Sequence, residues 1–117
     1  MHNVGLMKSL YAAQNVRRNR IVKFDSNGNV VEASSASDLI IGCSERLDAK
    51  AGGRVDVVLS DIAEVEYGGE IVAGQMITAD ADGRAVGAEA GDRVIGWAWD
   101  GGEEGDLGSV MISVSVA

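Results

Sequence analysis

Short apolar segments separated by glycine-containing corners constrain the fold of this chain more than any other feature. Residues 20–25 predict one β-strand and residues 30–33 its return strand, because Asn27-Gly28 between them is a strong hairpin signal. Residues 80–83, Asp-Ala-Asp-Gly, mark a second hairpin of the same kind. Sixteen glycines and no proline suit many short strands joined by tight turns.

Further strands are predicted wherever apolar and polar residues alternate or a short apolar run is bounded by turn residues. These segments are 39–43, 54–59, 62–67, 93–99 and 110–116. The pattern predicts a mainly β protein: a small antiparallel β-sandwich or barrel of about eight strands. No residue stretch repeats with a fixed period.

The segment 93–99 is unusual because large and small residues alternate along it. Ile95, Trp97 and Trp99 would share one face, and the opposite face would carry small residues around Gly96. The small face predicts close approach to a neighbouring backbone. Of the two tryptophans, one is expected in the core and the other at an interface.

Residues 1–19 show no sustained periodicity and are interpreted as a basic N-terminal arm that becomes ordered on contact, followed by a single β domain over 20–117. Residues 1–24 carry five basic side chains and no acidic one, a charge of +5, whereas the remainder carries five against eighteen, a charge of −13. Because that acidic body would repel a polyanion, we expect the arm to dock on an acidic protein surface in preference to nucleic acid.

The sequence contains few of the residues that catalytic and metal-binding sites commonly use. His2 is the one histidine and Cys43 the one cysteine, so neither a catalytic triad nor a cysteine-based metal site is predicted. Thr78 stands where a calcium loop around Gly83 would need an acid, which favours a plain hairpin turn. No enzyme activity and no cofactor are expected.

Membrane insertion is not expected either, because the apolar runs are far shorter than a membrane span of about 20 residues. The N-terminus lacks the apolar core and cleavage site of a secretory signal, so synthesis in the host cytoplasm is predicted.

The order of these strands and turns resembles a known family. The matching segments include Leu-Ile-Ile-Gly-Cys-Ser-Glu at 39–45 and Arg-Val-Ile-Gly-Trp-Ala at 93–98. Over residues 18–116 the chain is similar to the phage capsid decoration, or cement, proteins. The resemblance implies a structural virion protein on the outer surface of a tailed-phage head, bound to the major capsid protein and often a homotrimer at threefold positions.

On this interpretation the protein stabilises the capsid lattice by bridging coat subunits, without direct nucleic-acid or membrane contact. A small-molecule or carbohydrate-binding β module, or a tail or baseplate component, remains the alternative. The residues predicted to form the capsid or intersubunit interface are Leu6, Leu10, Tyr11, Arg17, Arg18, Arg20, Trp97 and Trp99.

Overall fold

The computed structural model describes residues 6–117, and over this range the chain forms ten β-strands and no helix. The strands are β1 (Met7–Tyr11), β2 (Ile21–Phe24), β3 (Val30–Glu32), β4 (Ile40–Ser44), β5 (Arg54–Val58), β6 (Ile62–Glu66), β7 (Met76–Ala79), β8 (Ala85–Gly87), β9 (Arg93–Ala98) and β10 (Leu107–Val116). The mainly β, sandwich-like prediction is confirmed, but its count of about eight strands was too low.

The strands form two five-stranded antiparallel sheets, ordered β1-β5-β4-β2-β3 and β6-β10-β9-β7-β8. Each sheet curls back on itself, because a parallel bridge joins its first strand region to its last. Ala12 pairs with Val30 in the first sheet, and Tyr67 with Ala85 in the second. Each sheet therefore approaches a small closed barrel, which leaves few exposed sheet edges.

The two sheets have the same topology, with β1–β5 corresponding in order to β6–β10. The correspondence extends to single pairs of residues. Ile21 pairs with Cys43 as Met76 pairs with Trp97, and the bridge between Val16 and Ala49 matches the one between Ile71 and Gly102. The chain thus consists of a first repeat, residues 6–60, and a second repeat, residues 61–117.

This internal repeat is one of backbone topology, and the residue sequence shows no fixed period that would reveal it. Few residue identities survive between the repeats, and the two interiors differ in how they fill the same volume. Tyr67 occupies the position of Ala12. The space for its ring comes from Gly108, which replaces Val55: a Cβ at Gly108 would overlap the tyrosine ring. One large side chain beside a glycine in the second repeat thus takes the place of two smaller side chains in the first.

Burial separates two apolar clusters. The smaller one fills the first repeat, and it contains Ala12, Val16, Val22, Val30, Ala49, Val55 and Val57. The larger fills the second repeat and also the contact between repeats, where it includes Ile21, Cys43 and Val58 of the first repeat. The second repeat is therefore seated on the outer face of the first.

The predicted close approach at Gly96 is confirmed. A Cβ there would overlap the carbonyl oxygen of Met111 on the neighbouring strand, and Gly42 meets Val58 in the same way in the first repeat. Both positions need glycine because the adjacent backbone occupies the side-chain space.

Both predicted hairpin turns are present and share one geometry. The Asp25 carboxylate accepts hydrogen bonds from the backbone N–H groups of Asn27 and Asn29, each at 2.9 Å. Asp80 binds the backbone at Asp82 and Arg84 in the same way, at 2.8 and 2.9 Å. Gly28 and Gly83 close the turns at φ +80° and +73°, a region that favours glycine.

The extended N-terminal arm is not seen in the described part of residues 1–19. β1 pairs with β5 along its whole length, from Met7 opposite Val58 to Tyr11 opposite Arg54. Beyond β1, Val16 is completely buried. Residues 6–19 therefore belong to the first barrel, because β1 supplies one wall and the following loop supplies core side chains. Residues 1–5, including His2, lie outside the described residues.

Candidate interaction surface

The three arginines predicted as interface anchors are all bound within the chain. Arg17 pairs with Glu32 at 2.8 Å and Arg18 with Asp48 at 3.2 Å. Arg20 is only 8% exposed and donates a hydrogen bond to Glu66 at 3.1 Å. The interface role of Arg20 stays a prediction, and within the chain its side chain lies between the two repeats.

The arginines lower the pKa values of their partners Glu32 and Asp48. Burial alone would raise the pKa of Glu32, but hydrogen bonds from the Arg17 side chain and backbone outweigh burial, so its pKa is lowered. The Arg18 hydrogen bond lowers the pKa of Asp48. Both carboxylates are thus held ionised, and much of the charge on residues 1–24 is compensated internally.

The predicted anchors on β1 divide by exposure. Leu6 and Tyr11 are 61% and 53% exposed, whereas Leu10 is partly buried and packs against the core of the first repeat. The Arg54 guanidinium lies 4.6 Å from the Tyr11 ring centroid, a cation–π contact that orients the ring. Leu6 and Tyr11 are therefore available to a partner, while Leu10 contributes mainly to folding.

Neither tryptophan of β9 and its following turn lies in the core, so the expectation of one buried tryptophan was wrong. Trp97 is 37% and Trp99 55% exposed, and their rings stack at 5.5 Å between centroids. Ile95, two residues before Trp97 in the same strand, is completely buried. Ile95 belongs to the buried cluster that joins the two repeats, so packing within that cluster covers it. Beside it β10 carries a bulge, because Ile112 pairs with Gly96 but Ser115 with Val94.

An exposed apolar row crosses the outer face of the second sheet. We call it the Trp97 row, and its members are paired across four strands in the order Ile62, Met111, Trp97 and Met76. Met76 and Trp97 are 51% and 37% exposed, whereas Ile62 and Met111 are half-buried. Sequence reasoning missed Met76 and Met111, because only the strand order places them beside Trp97. Contiguous exposed apolar side chains of this kind mark contact sites.

The described residues offer little to hold a ligand covalently or through a metal. Within residues 6–117 no group of three or more His, Cys, Asp or Glu side chains is placed to bind a metal ion. Cys43 is buried, and burial raises the pKa of its thiol to about 12. Over the same residues, no helix is long and apolar enough to cross a membrane.

Two fused small barrels, with the three predicted anchor arginines paired internally and an apolar row on the outer face, define a β protein suited to contact with another macromolecule. The model of the phage cement protein family matches residues 5–114. The chain therefore belongs to the phage cement protein family and is a capsid-associated structural protein.

A solved structure shares the fold. It is the head fiber gp8.5 N base of bacteriophage phi29, 22% identical in sequence, with a TM-score of 0.74 over 96% of this chain and 97% of that chain. A comparison with curated protein sequences gives no match.

Proposed function

We propose that the protein binds the outer surface of an assembled tailed-phage head and stabilises the lattice by bridging subunits of the major capsid protein. The observation that carries this proposal is the family match over residues 5–114, nearly the whole chain. Binding in this function needs no reaction, and the chain exposes large apolar side chains, such as Met76 and Trp99, that can take part in it. We further propose that copies associate as homotrimers at threefold positions of the lattice, after synthesis in the host cytoplasm.

Stabilisation follows from differential binding. A protein that binds the assembled lattice more tightly than free coat subunits shifts the equilibrium toward the intact shell. Repetition over the lattice multiplies a modest affinity at each site. The net charge of −8 disfavours direct contact with the packaged nucleic acid.

The test is to mix the full chain with undecorated mature heads, pellet the heads, count bound copies and image them. Saturable, lattice-ordered binding that raises the heat resistance of the heads is the expected result. Absence of binding to mature heads would refute the proposal. Point variants such as Tyr11→Ala are preferable to deletion of residues 1–16, because that deletion removes β1 and the buried Val16.

A second candidate is carbohydrate binding, favoured by the stacked and exposed pair Trp97 and Trp99. Titration with oligosaccharides, followed by tryptophan fluorescence, tests it directly. Saturable quenching that Trp99→Ala abolishes would support this candidate. Unchanged fluorescence across the series would leave the pair as a protein-contact surface.

A further inference from the structure

The contact between the two repeats uses a row of residues whose counterpart in the second repeat is exposed. In the first repeat, Ile21, Cys43 and Val58 pair across three strands and are completely buried under the second repeat. Their counterparts Met76, Trp97 and Met111 form most of the Trp97 row. The first repeat thus has its row covered, and the second repeat has the same row uncovered.

The surface that covers the first row is one end of the second barrel. The corresponding end of the first barrel is partly exposed: Phe24 is exposed, whereas Ile41 and Leu59 are half-buried against the first-repeat core. Ala79 and Ile95 lie in the same buried cluster as the Ile21 row, at 2% and 0% exposure. Phe24 stands at the position of Ala79 and is 48% exposed. We call Phe24, Ile41, Leu59 and the turn at residues 25–29 the Phe24 end.

The turns around Gly83 and Gly28 also differ in whether they contact the other repeat. In the second repeat, the carbonyl oxygen of Gly83 accepts a hydrogen bond from the Ile21 backbone N–H at 2.7 Å, and a Cβ on Gly83 would lie 3.0 Å from the Ile21 oxygen. In the first repeat, the corresponding Gly28 faces open space. One turn is docked on the other repeat, while its counterpart is free.

Charge favours a contact between the Phe24 end of one copy and the Trp97 row of another. Residues 6–60 carry eight basic against six acidic side chains, whereas residues 61–117 carry two against twelve. The first repeat is therefore at +2 and the second at −10, which makes unlike repeats attract and like second repeats repel. A contact between two Trp97 rows would bring the strongly acidic repeats together.

The ion pair of Arg20 with Glu66 between the repeats has uncharged residues at the two equivalent positions of the opposite repeats. Arg20 binds Glu66 between repeats, and the matching positions are Gln75 and Tyr11. A second copy docked in the same manner would therefore bury no unpaired charge at these positions. That matters because an unpaired buried charge is costly.

We propose that a second copy of this chain docks its Phe24 end on the Trp97 row and so reproduces, between copies, the contact between the repeats within one copy. The contact is heterologous: each copy uses two different surfaces, and association closes into a ring or continues according to the rotation between copies. The proposal deepens the self-association part of the proposed function and does not depend on binding to coat protein.

The test uses two single substitutions in the full chain, Met76→Asp on the Trp97 row and Phe24→Asp on the Phe24 end. Both side chains are about half exposed, so folding should be retained, and circular dichroism with thermal melting checks this. Sedimentation velocity should show that each variant alone associates at least about tenfold more weakly than the wild type. Leu47→Asp is the matched control, because Leu47 is 79% exposed and lies on neither surface.

Mixing the two variants decides the geometry. The Met76→Asp chain keeps an intact Phe24 end and the Phe24→Asp chain keeps an intact Trp97 row, so an equimolar mixture should form a one-to-one pair that grows no further.

Three results would overturn the proposal. These are a wild-type chain that stays monomeric at all concentrations, a Phe24→Asp chain that associates as the wild type does, and a mixture that fails to pair. Head binding is measured separately by pelleting. If the protein self-associates as described but does not bind heads, the proposed function alone is refuted. If it binds heads but the two variants do not pair, only this contact between copies is refuted.

Discussion

Tyr67 and Gly108 provide a sharp test of the repeat, because the first repeat fills the same space with Ala12 and Val55. Gly108→Val should destabilise the protein by about 1–3 kcal/mol, since the added side chain overlaps the Tyr67 ring. Tyr67→Ala should cost about 3–5 kcal/mol, because it leaves a cavity in a fully buried site.

The double variant, Tyr67→Ala with Gly108→Val, recreates the pair found in the first repeat. The valine then fills part of the cavity, so the double variant should be more stable than the sum of the single effects by about 2 kcal/mol. Recovery stays incomplete, because the hydrogen bond of 2.8 Å from the Tyr67 hydroxyl to the Asp100 carbonyl oxygen is lost, at about 1 kcal/mol.

Urea unfolding of the four chains, followed by circular dichroism, measures this coupling as shifts of midpoint at constant slope. Gly96→Val is the matched control, because its obstacle is the Met111 backbone and Tyr67→Ala offers it no space. Additivity of Tyr67→Ala and Gly108→Val within about 0.5 kcal/mol would refute the volume exchange.

Three further predictions concern the turns, the buried thiol and acid stability. Asp80→Ala should lower the unfolding free energy by about 2–3 kcal/mol, and Asp25→Ala by about 1–2 kcal/mol. The loss is larger for Asp80 because its carboxylate also accepts a hydrogen bond from the Arg84 side chain at 3.2 Å. Urea unfolding compares the two variants, and equal losses would contradict this reasoning. Cys43 is buried, and burial raises the pKa of its thiol to about 12. At pH 8 it should therefore react with a thiol reagent only as fast as unfolding exposes it. Rapid labelling under native conditions would contradict the burial of this thiol. The lowered pKa of Glu32 contributes stability above its ordinary value of 4.5 that is lost as pH falls below it, so Glu32→Gln should flatten the acid limb of a stability-against-pH curve. An unchanged acid limb would mean that the pairing with Arg17 contributes nothing.

The strands with clear alternation of apolar and polar residues were predicted well. The predictions that failed concern features set by contacts between distant segments of the chain. β1 lacks a regular pattern of its own, so residues 1–19 were interpreted as an arm, although β1 pairs fully with β5. Its barrel position is set by contacts with residues far along the chain. The arginines were predicted as free anchors for the same reason: Glu32, Asp48 and Glu66 become their partners only after folding.

The exposed apolar row was predicted in part. Alternation along residues 93–99 placed Trp97 and Trp99 on one face, and both are exposed together. Met76 and Met111 were missed, since the row runs across strands and its composition depends on strand order. Ile95 is buried because it belongs to the cluster that joins the two repeats, which alternation along one strand does not show.

Taken by itself, the amino-acid sequence determined the β class, the two aspartate-bound hairpins and the glycine at the close approach in β9, because each depends on residues near one another in the chain. The tertiary structure decided which strands pair, and with that the internal repeat, the internal partners of the arginines and the row left uncovered on the second repeat. These depend on contacts between distant segments, and the repeats preserve backbone pairing while their side chains have exchanged volume.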